Sequence, residues 1–150
     1  MRISGARALR KFIAKNRLKN IVVPKKWLYQ LSDQYTDPIT GEKSYLLIVE
    51  DMSLANYLSD SRKNEAIIEK RFKEMDDKTL KELCTIFYFF RGLDTSPRNF
   101  IVAGKKKIAL IDTEHWDDWN REGFLKHIMP YLDERQQNYA LEVIEEFKNE

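Results

Sequence analysis

Apolar positions along this chain change spacing twice, and each change marks a switch of predicted element. From residue 5 to residue 19, Leu9, Phe12, Ile13 and Leu18 recur at helical intervals among Arg and Lys, which predicts a basic amphipathic helix. Ile21-Val22-Val23 and Trp27-Leu28-Tyr29 flank Pro24 and predict a short, interrupted strand. Asp37-Pro38-Ile39-Thr40-Gly41-Glu42 is dense in turn formers and predicts the closure of a hairpin. Tyr45 to Val49 then returns as a buried strand, antiparallel to Trp27 to Leu31.

After Glu50-Asp51-Met52 the pattern turns helical. Leu54 to Leu58 predicts a short helix, and Asn64 to Met75 a longer one with Ile67, Ile68, Phe72 and Met75 as its stripe. Thr79-Leu80-Lys81-Glu82 reads as a capping box opening the next helix. Leu83, Ile86, Phe87, Phe89 and Phe90 make that helix apolar enough to lie near the centre of the domain. Phe100-Ile101-Val102 and Ile108-Ala109-Leu110-Ile111 are two further strands, joined by the polar turn Ala103 to Lys107. Helical patterns return around Gly123 to Tyr131 and from Asp133 to Phe147, the last opened by an Asp cap.

With 150 residues, 43% of them apolar and 33% charged, the chain is expected to bury one core as a single domain, 1–150. The longest apolar run, Leu83 to Phe90, is far shorter than the ~20 residues a bilayer crossing needs. Cys84 is the sole cysteine, which excludes an internal disulfide and cysteine-built zinc sites, and fits a reducing, cytoplasmic setting. The opening Ile3-Ser4-Gly5-Ala6-Arg7 fits the interior of a longer reading frame as well as a natural start. A net charge of +2 hides an asymmetry: residues 1–32 carry nine Lys or Arg and no acid, whereas residues 111–150 hold eleven Asp or Glu against four Lys or Arg. The basic head reads as solvated, or as facing the acidic end, before it reads as a nucleic-acid or membrane contact, because no aromatic-interleaved basic motif accompanies it.

The chemistry concentrates between Arg91 and Glu114. Asp94 is followed five positions later by Asn99, and thirteen positions beyond Asn99 the second apolar strand delivers Asp112. An acid, an amide, a strand, a turn, a strand and a second acid resemble the site of the protein-kinase-like fold, including its aminoglycoside-phosphotransferase-type branch. The resemblance implies an α+β fold: a minimal kinase-like domain with a mostly helical large lobe, 50–150, and a remnant small lobe, 1–49, made of one helix and a short antiparallel hairpin. It also implies that Asp94 is the catalytic base, that Asn99 and Asp112 hold magnesium, and that Glu50 and Met52 belong to a hinge contacting the adenine of ATP through backbone groups. Asp112-Thr113-Glu114 is more like the D-x-E of small-molecule kinases than DFG.

The departures are equally specific. Gly92 stands where the family has His, Ser96 where protein kinases have Lys, and the leading helix has no acid to grip a small-lobe Lys. The glycine-rich loop and the three strands that precede that helix are missing, so the triphosphate of a bound ATP would be largely uncovered unless a partner protein completes the small lobe. Lys25 and Lys26 read as exposed turn lysines before they read as phosphate contacts. His115 and His127 read as structural or surface residues, and Trp116 and Trp119 as packing beneath the loop after Asp112. Two other readings stay open at this point. One is a catalytically inactive relative that works as a binding or scaffold module. The other is an unrelated helical interaction domain in which Asp94 and Asn99 are turn residues.

Overall fold

A computed structural model of the protein describes residues 2–52, 61–96, 99–102, 107–117 and 125–149. The described residues form an α+β arrangement of four helices and two small sheets. The helices are α1 (Arg2–Lys15), α2 (Ser61–Lys73), α3 (Asp77–Phe89) and α4 (Glu134–Lys148); the strands are β1 (Ile21–Val22), β2 (Lys26–Gln30), β3 (Tyr45–Val49), β4 (Phe100–Val102) and β5 (Ile108–Leu110). The expected helix at Leu54 to Leu58, the turn from Ala103 to Lys106, and Trp119 lie outside the described residues. Of the helix expected around Gly123 to Tyr131, the described part is a turn followed by a short 3-10 segment, Met129–Tyr131, where Pro130 lacks the donor a longer helix needs.

Pro24 divides what the sequence reads as one interrupted strand into two strands of different sheets. β1 pairs in parallel with β5, Ile21 opposite Ile108, and β5 pairs antiparallel with β4, so the order is β1-β5-β4. β2 and β3 form a separate antiparallel ribbon with Lys26 opposite Val49 and Gln30 opposite Tyr45, the pairing the hairpin pattern predicts. Asp37 shapes its turn by accepting from the amides of Ile39 (2.7 Å) and Thr40 (2.9 Å), while Gly41 takes a φ of +71°. Strand β3 is not buried as the sequence predicts, and its partner β2 is exposed with it beyond Lys26. Trp27, Leu28, Tyr29 and all five residues of β3 are between 36% and 60% exposed. A continuous apolar run predicts a strand covered on both faces, and here no described layer covers it.

The core lies around α3. Leu80, Leu83, Cys84, Ile86 and Phe87 are buried on it, and Phe87 and Phe72 each meet Phe100 edge-on, with centroids 5.9 and 5.4 Å apart. Thr79 is not the helix cap that the sequence predicts. Asp76 caps α3 by accepting from Thr79 N at 2.8 Å, because an acceptor at N-cap reaches the third amide of the helix. Glu82 is thereby released to a different role. Its buried carboxylate accepts from the amides of Lys19 (3.1 Å) and Asn20 (2.7 Å), while Asn20 Nδ2 donates to Thr79 Oγ1 at 2.9 Å. These bonds fasten the segment between α1 and β1 to α3. At the other end, Asp133 and Gln136 form a full capping box on α4, and Gln136 Nε2 donates to the carbonyls of Phe72 (3.0 Å) and Met75 (3.1 Å), closing the end of α2.

Burial pushes the Cys84 thiol up to about 12 from an ordinary 9.0. Below pH 9 the thiol is protonated in both the folded and unfolded chain, so its contribution is intact. Between pH 9 and 12 the unfolded chain loses the proton first, and stability should fall by up to about 1.4 kcal/mol per pH unit. Denaturant titrations across this range should show that slope in the parent and a flatter one in Cys84→Ala.

Candidate functional site

The β4–β5 ladder brings the first two polar groups together. Phe100 lies opposite Leu110, and one step further Ile111 N donates to Asn99 O at 3.0 Å. Asn99 and the residue after Ile111, Asp112, therefore sit at the same end of the hairpin. Both line one cleft of about 220 Å³, with Arg2, Lys26, Leu47, Val49 and Ile111.

Asn99 is oriented by its own loop. Its Nδ2 donates to Asp94 O at 3.1 Å and its backbone N to Ser96 O at 2.9 Å. With Nδ2 engaged, the amide oxygen remains as acceptor, and that oxygen is the atom a hard cation takes from an amide. Asp94 is half-buried, its Oδ1 accepts from Ser96 N at 2.9 Å in an Asx turn, and it is not among the described residues that line the cleft. The structure thus places Asn99 and Asp112 in a shared cavity and Asp94 behind Asn99 in the same loop.

Lys26 departs from its sequence reading. It is 8% exposed, not a surface turn residue. Its ammonium donates to Ile111 O at 2.7 Å and to Thr113 Oγ1 at 2.9 Å, the backbone and side chain flanking Asp112. Burial lowers its pKa, and the charge of Asp112 works in the opposite direction. An ammonium carries three N–H donors, so these two bonds leave one for an oxyanion in the cleft. No local sequence signal marks Lys26, because its partners Ile111 and Thr113 lie more than eighty positions away in the chain.

Helix α1 closes the arrangement from the other side. Arg2 grips Glu114 with both oxygens engaged, Nε to Oε1 at 2.6 Å and Nη2 to Oε2 at 3.1 Å, and Glu114 holds its partner's pKa above the ordinary arginine value. Thr113 Oγ1 accepts from Lys26 and donates to Arg2 O at 2.7 Å, while Glu114 N donates to Asp112 Oδ1 at 3.1 Å. Asp112 is therefore set between two cations, and the segment 112–114 is tied to both β2 and α1. Trp116 packs against Phe90, centroids 6.2 Å apart, beneath the loop as its sequence position predicts. The other cations of α1 (Arg7, Arg10, Lys11 and Lys15) are exposed, which fits the solvated reading of the basic head.

Glu50 closes the ribbon, its N donating to Lys25 O and its Oε2 accepting from Lys25 N, both at 2.9 Å. Glu50 is exposed, Met52 is half-buried, and neither is among the described residues of the cleft. A larger, more open groove of about 610 Å³ runs between the C-terminal half of α1 and residues 18–23. Among the described residues its lining has the cations Arg10, Lys19 and Lys107 and no carboxylate, which does not suit a metal ion. Among the described residues, no group of three His, Cys, Asp or Glu could hold a metal unaided, and no helix is long and apolar enough to cross a membrane. Comparison of the chain with protein-family models, curated proteins and solved structures finds no match in any of the three.

Proposed function

We propose that this chain is a minimal kinase-like domain that binds ATP with magnesium in the cleft of Asn99 and Asp112 and transfers phosphate to a hydroxyl of a protein or small molecule. The observation that carries this reading is the convergence of Asn99, Asp112 and Lys26 on one cavity. Magnesium binds through one or two carboxylates together with phosphate oxygens and water, so one carboxylate and one amide oxygen fit it. When bound, the ion would neutralise charge on the phosphates. Lys26 takes the place of the missing small-lobe lysine, its remaining N–H offered to a phosphate oxygen. Leu47 and Val49 give the cleft its apolar wall, and residues 50–52, which follow Val49 in the chain, would supply the adenine-contacting hinge. In the transfer, the acceptor oxygen bonds to the γ-phosphorus as the bond to the β-phosphate oxygen breaks; ADP leaves, and the acceptor's proton passes to Asp94.

A thermal-shift titration tests the binding half. Saturation at a hundred times the dissociation constant should stabilise the fold by about 2.7 kcal/mol. The shift should require magnesium, disappear in Asp112→Ala, and need roughly tenfold to a hundredfold more ATP in Lys26→Met, the loss of one charge-assisted hydrogen bond. A wild-type chain that ATP and magnesium leave unshifted overturns the reading. Turnover lost in Asp94→Ala with binding retained would assign the base. One observation favours a second reading, the inactive binding module: the Asp94 carboxylate already serves its own turn through Ser96 N. In that case ATP binds and wild type shows no turnover.

A further inference from the structure

The exposed ribbon bears on what this protein associates with, independently of whether the cleft binds ATP. Leu31 N donates to Ser44 O and Glu50 N donates to Lys25 O. In an antiparallel pair the bonded positions recur every second residue, so Ser44, Leu46, Ile48 and Glu50 direct their backbone groups at β2. Tyr45, Leu47 and Val49 then present their N–H and C=O groups on the outer edge of β3. This edge is apolar at every position from Tyr45 to Val49 and at least 36% exposed throughout, and Pro, a charge or a bulge, the usual protections of an open edge, is missing from it. The opposite edge of the ribbon differs: it carries buried Lys26, and β2 contacts α1.

The charges that flank β3 select an occupant. Lys43 precedes the strand and Glu50-Asp51 follows it. A second β3 laid parallel would stack like charge on like at both ends. Laid antiparallel and centred on Leu47, it sets Tyr45 against Val49 of the second copy, Leu47 against itself and Lys43 against Asp51. Centring on Leu46 instead would set Glu42 against Glu50. We propose that β3 pairs with β3 of a second copy about a twofold axis at Leu47, making a continuous four-stranded sheet β2-β3-β3-β2. The pairing bonds the outward N–H and C=O of all three edge residues, and a closed twofold contact uses the same patch on both copies. Beyond its contact with α1 the two-stranded ribbon has no further strand to share its apolar surface among the described residues, and doubling it to four strands supplies one. The added strands also continue the wall that Leu47 and Val49 give the cleft, on the side where cover is missing.

Light scattering coupled to gel filtration should find a dimer of the full chain. Lys43→Glu should weaken it roughly tenfold through two like-charge cross-strand pairs, and Lys43→Glu combined with Asp51→Lys should restore it. Under oxidation, Leu47→Cys should cross-link, since directly opposed bonded residues lie about 5.5 Å apart at Cα, within disulfide range. Tyr45→Cys should not, its two copies being roughly 14 Å apart in this register. The native Cys84 is buried and gives no background. A monomer at all concentrations overturns the proposal and leaves the edge to a strand of another protein. Equal cross-linking at 45 and 47, or a dimer indifferent to charge reversal, also overturns it. None of these outcomes depends on nucleotide binding.

Discussion

Glu82→Ala should lower stability by about 3 kcal/mol and the melting temperature by roughly 10 °C. The carboxylate is buried inside α3 and receives two backbone amides, Lys19 N and Asn20 N, which have to find other acceptors once it is gone. A hydrogen bond to a charged group contributes about 1.5–3 kcal/mol, and both bonds here are part-buried. Glu82→Gln retains an oxygen for one amide and points an NH2 group at the other, so it should recover only part of the loss. Calorimetry or denaturant titration of the three proteins orders them as wild type, Gln, Ala. An Ala variant within 0.5 kcal/mol of wild type, roughly the scale of an ordinary surface change, would show that the fastening of the α1–β1 segment to α3 contributes little.

Gly5→Ala should be destabilising even though alanine is the better helix former. Inside an exposed helix the exchange stabilises by about 1 kcal/mol. Here an added Cβ would stand 2.1 Å from Thr113 O and 2.7 Å from Trp116 Cδ1. The tryptophan ring can swing aside, whereas the carbonyl is part of the backbone that carries Asp112. Either α1 withdraws, loosening Arg2 from Glu114, or the 112–114 segment shifts. A net loss of about 2 kcal/mol is expected, in the range of overpacked cores, together with weaker magnesium-dependent ATP stabilisation if the cleft takes the ligand proposed for it. The two readouts separate a packing effect from one on the cleft: a merely structural clash lowers the melting temperature and leaves the ligand-induced shift unchanged.

Local spacing carries much of this architecture. The strands Phe100–Val102 and Ile108–Leu110, the hairpin at Asp37 to Glu42, the central helix and the Asp cap of α4 are each signalled within a few residues, because turn chemistry, apolar period and capping act over that range. The same reach explains why Asn99 and Asp112 can be placed together: a short antiparallel hairpin makes its two ends neighbours. Lys26, Arg2 and Glu114 are not legible in the same way, since their meeting depends on how α1 and β2 dock on the loop after β5. The capping-box motif at Thr79 to Glu82 has the expected residues at the expected spacing, yet Asp76 takes the cap and Glu82 turns to residues some sixty positions away. The exposure of the ribbon escapes the sequence for a related reason. An apolar strand shows that a cover is favourable, and it does not show which chain supplies the cover.

The parallel pairing of Ile21–Val22 with Ile108–Ala109 has a kinetic corollary. A segment made early in synthesis waits for one made late before its backbone groups find partners, so the central sheet is an assembly of high contact order and closes slowly. Helix α3 also packs chiefly on the distant α4, and the Asp112 loop reaches its final shape only when residues 21–22 and 108–109 pair. The cleft of Asn99 and Asp112 thereby depends on a pairing that spans most of the chain, and local helix formation alone does not build it.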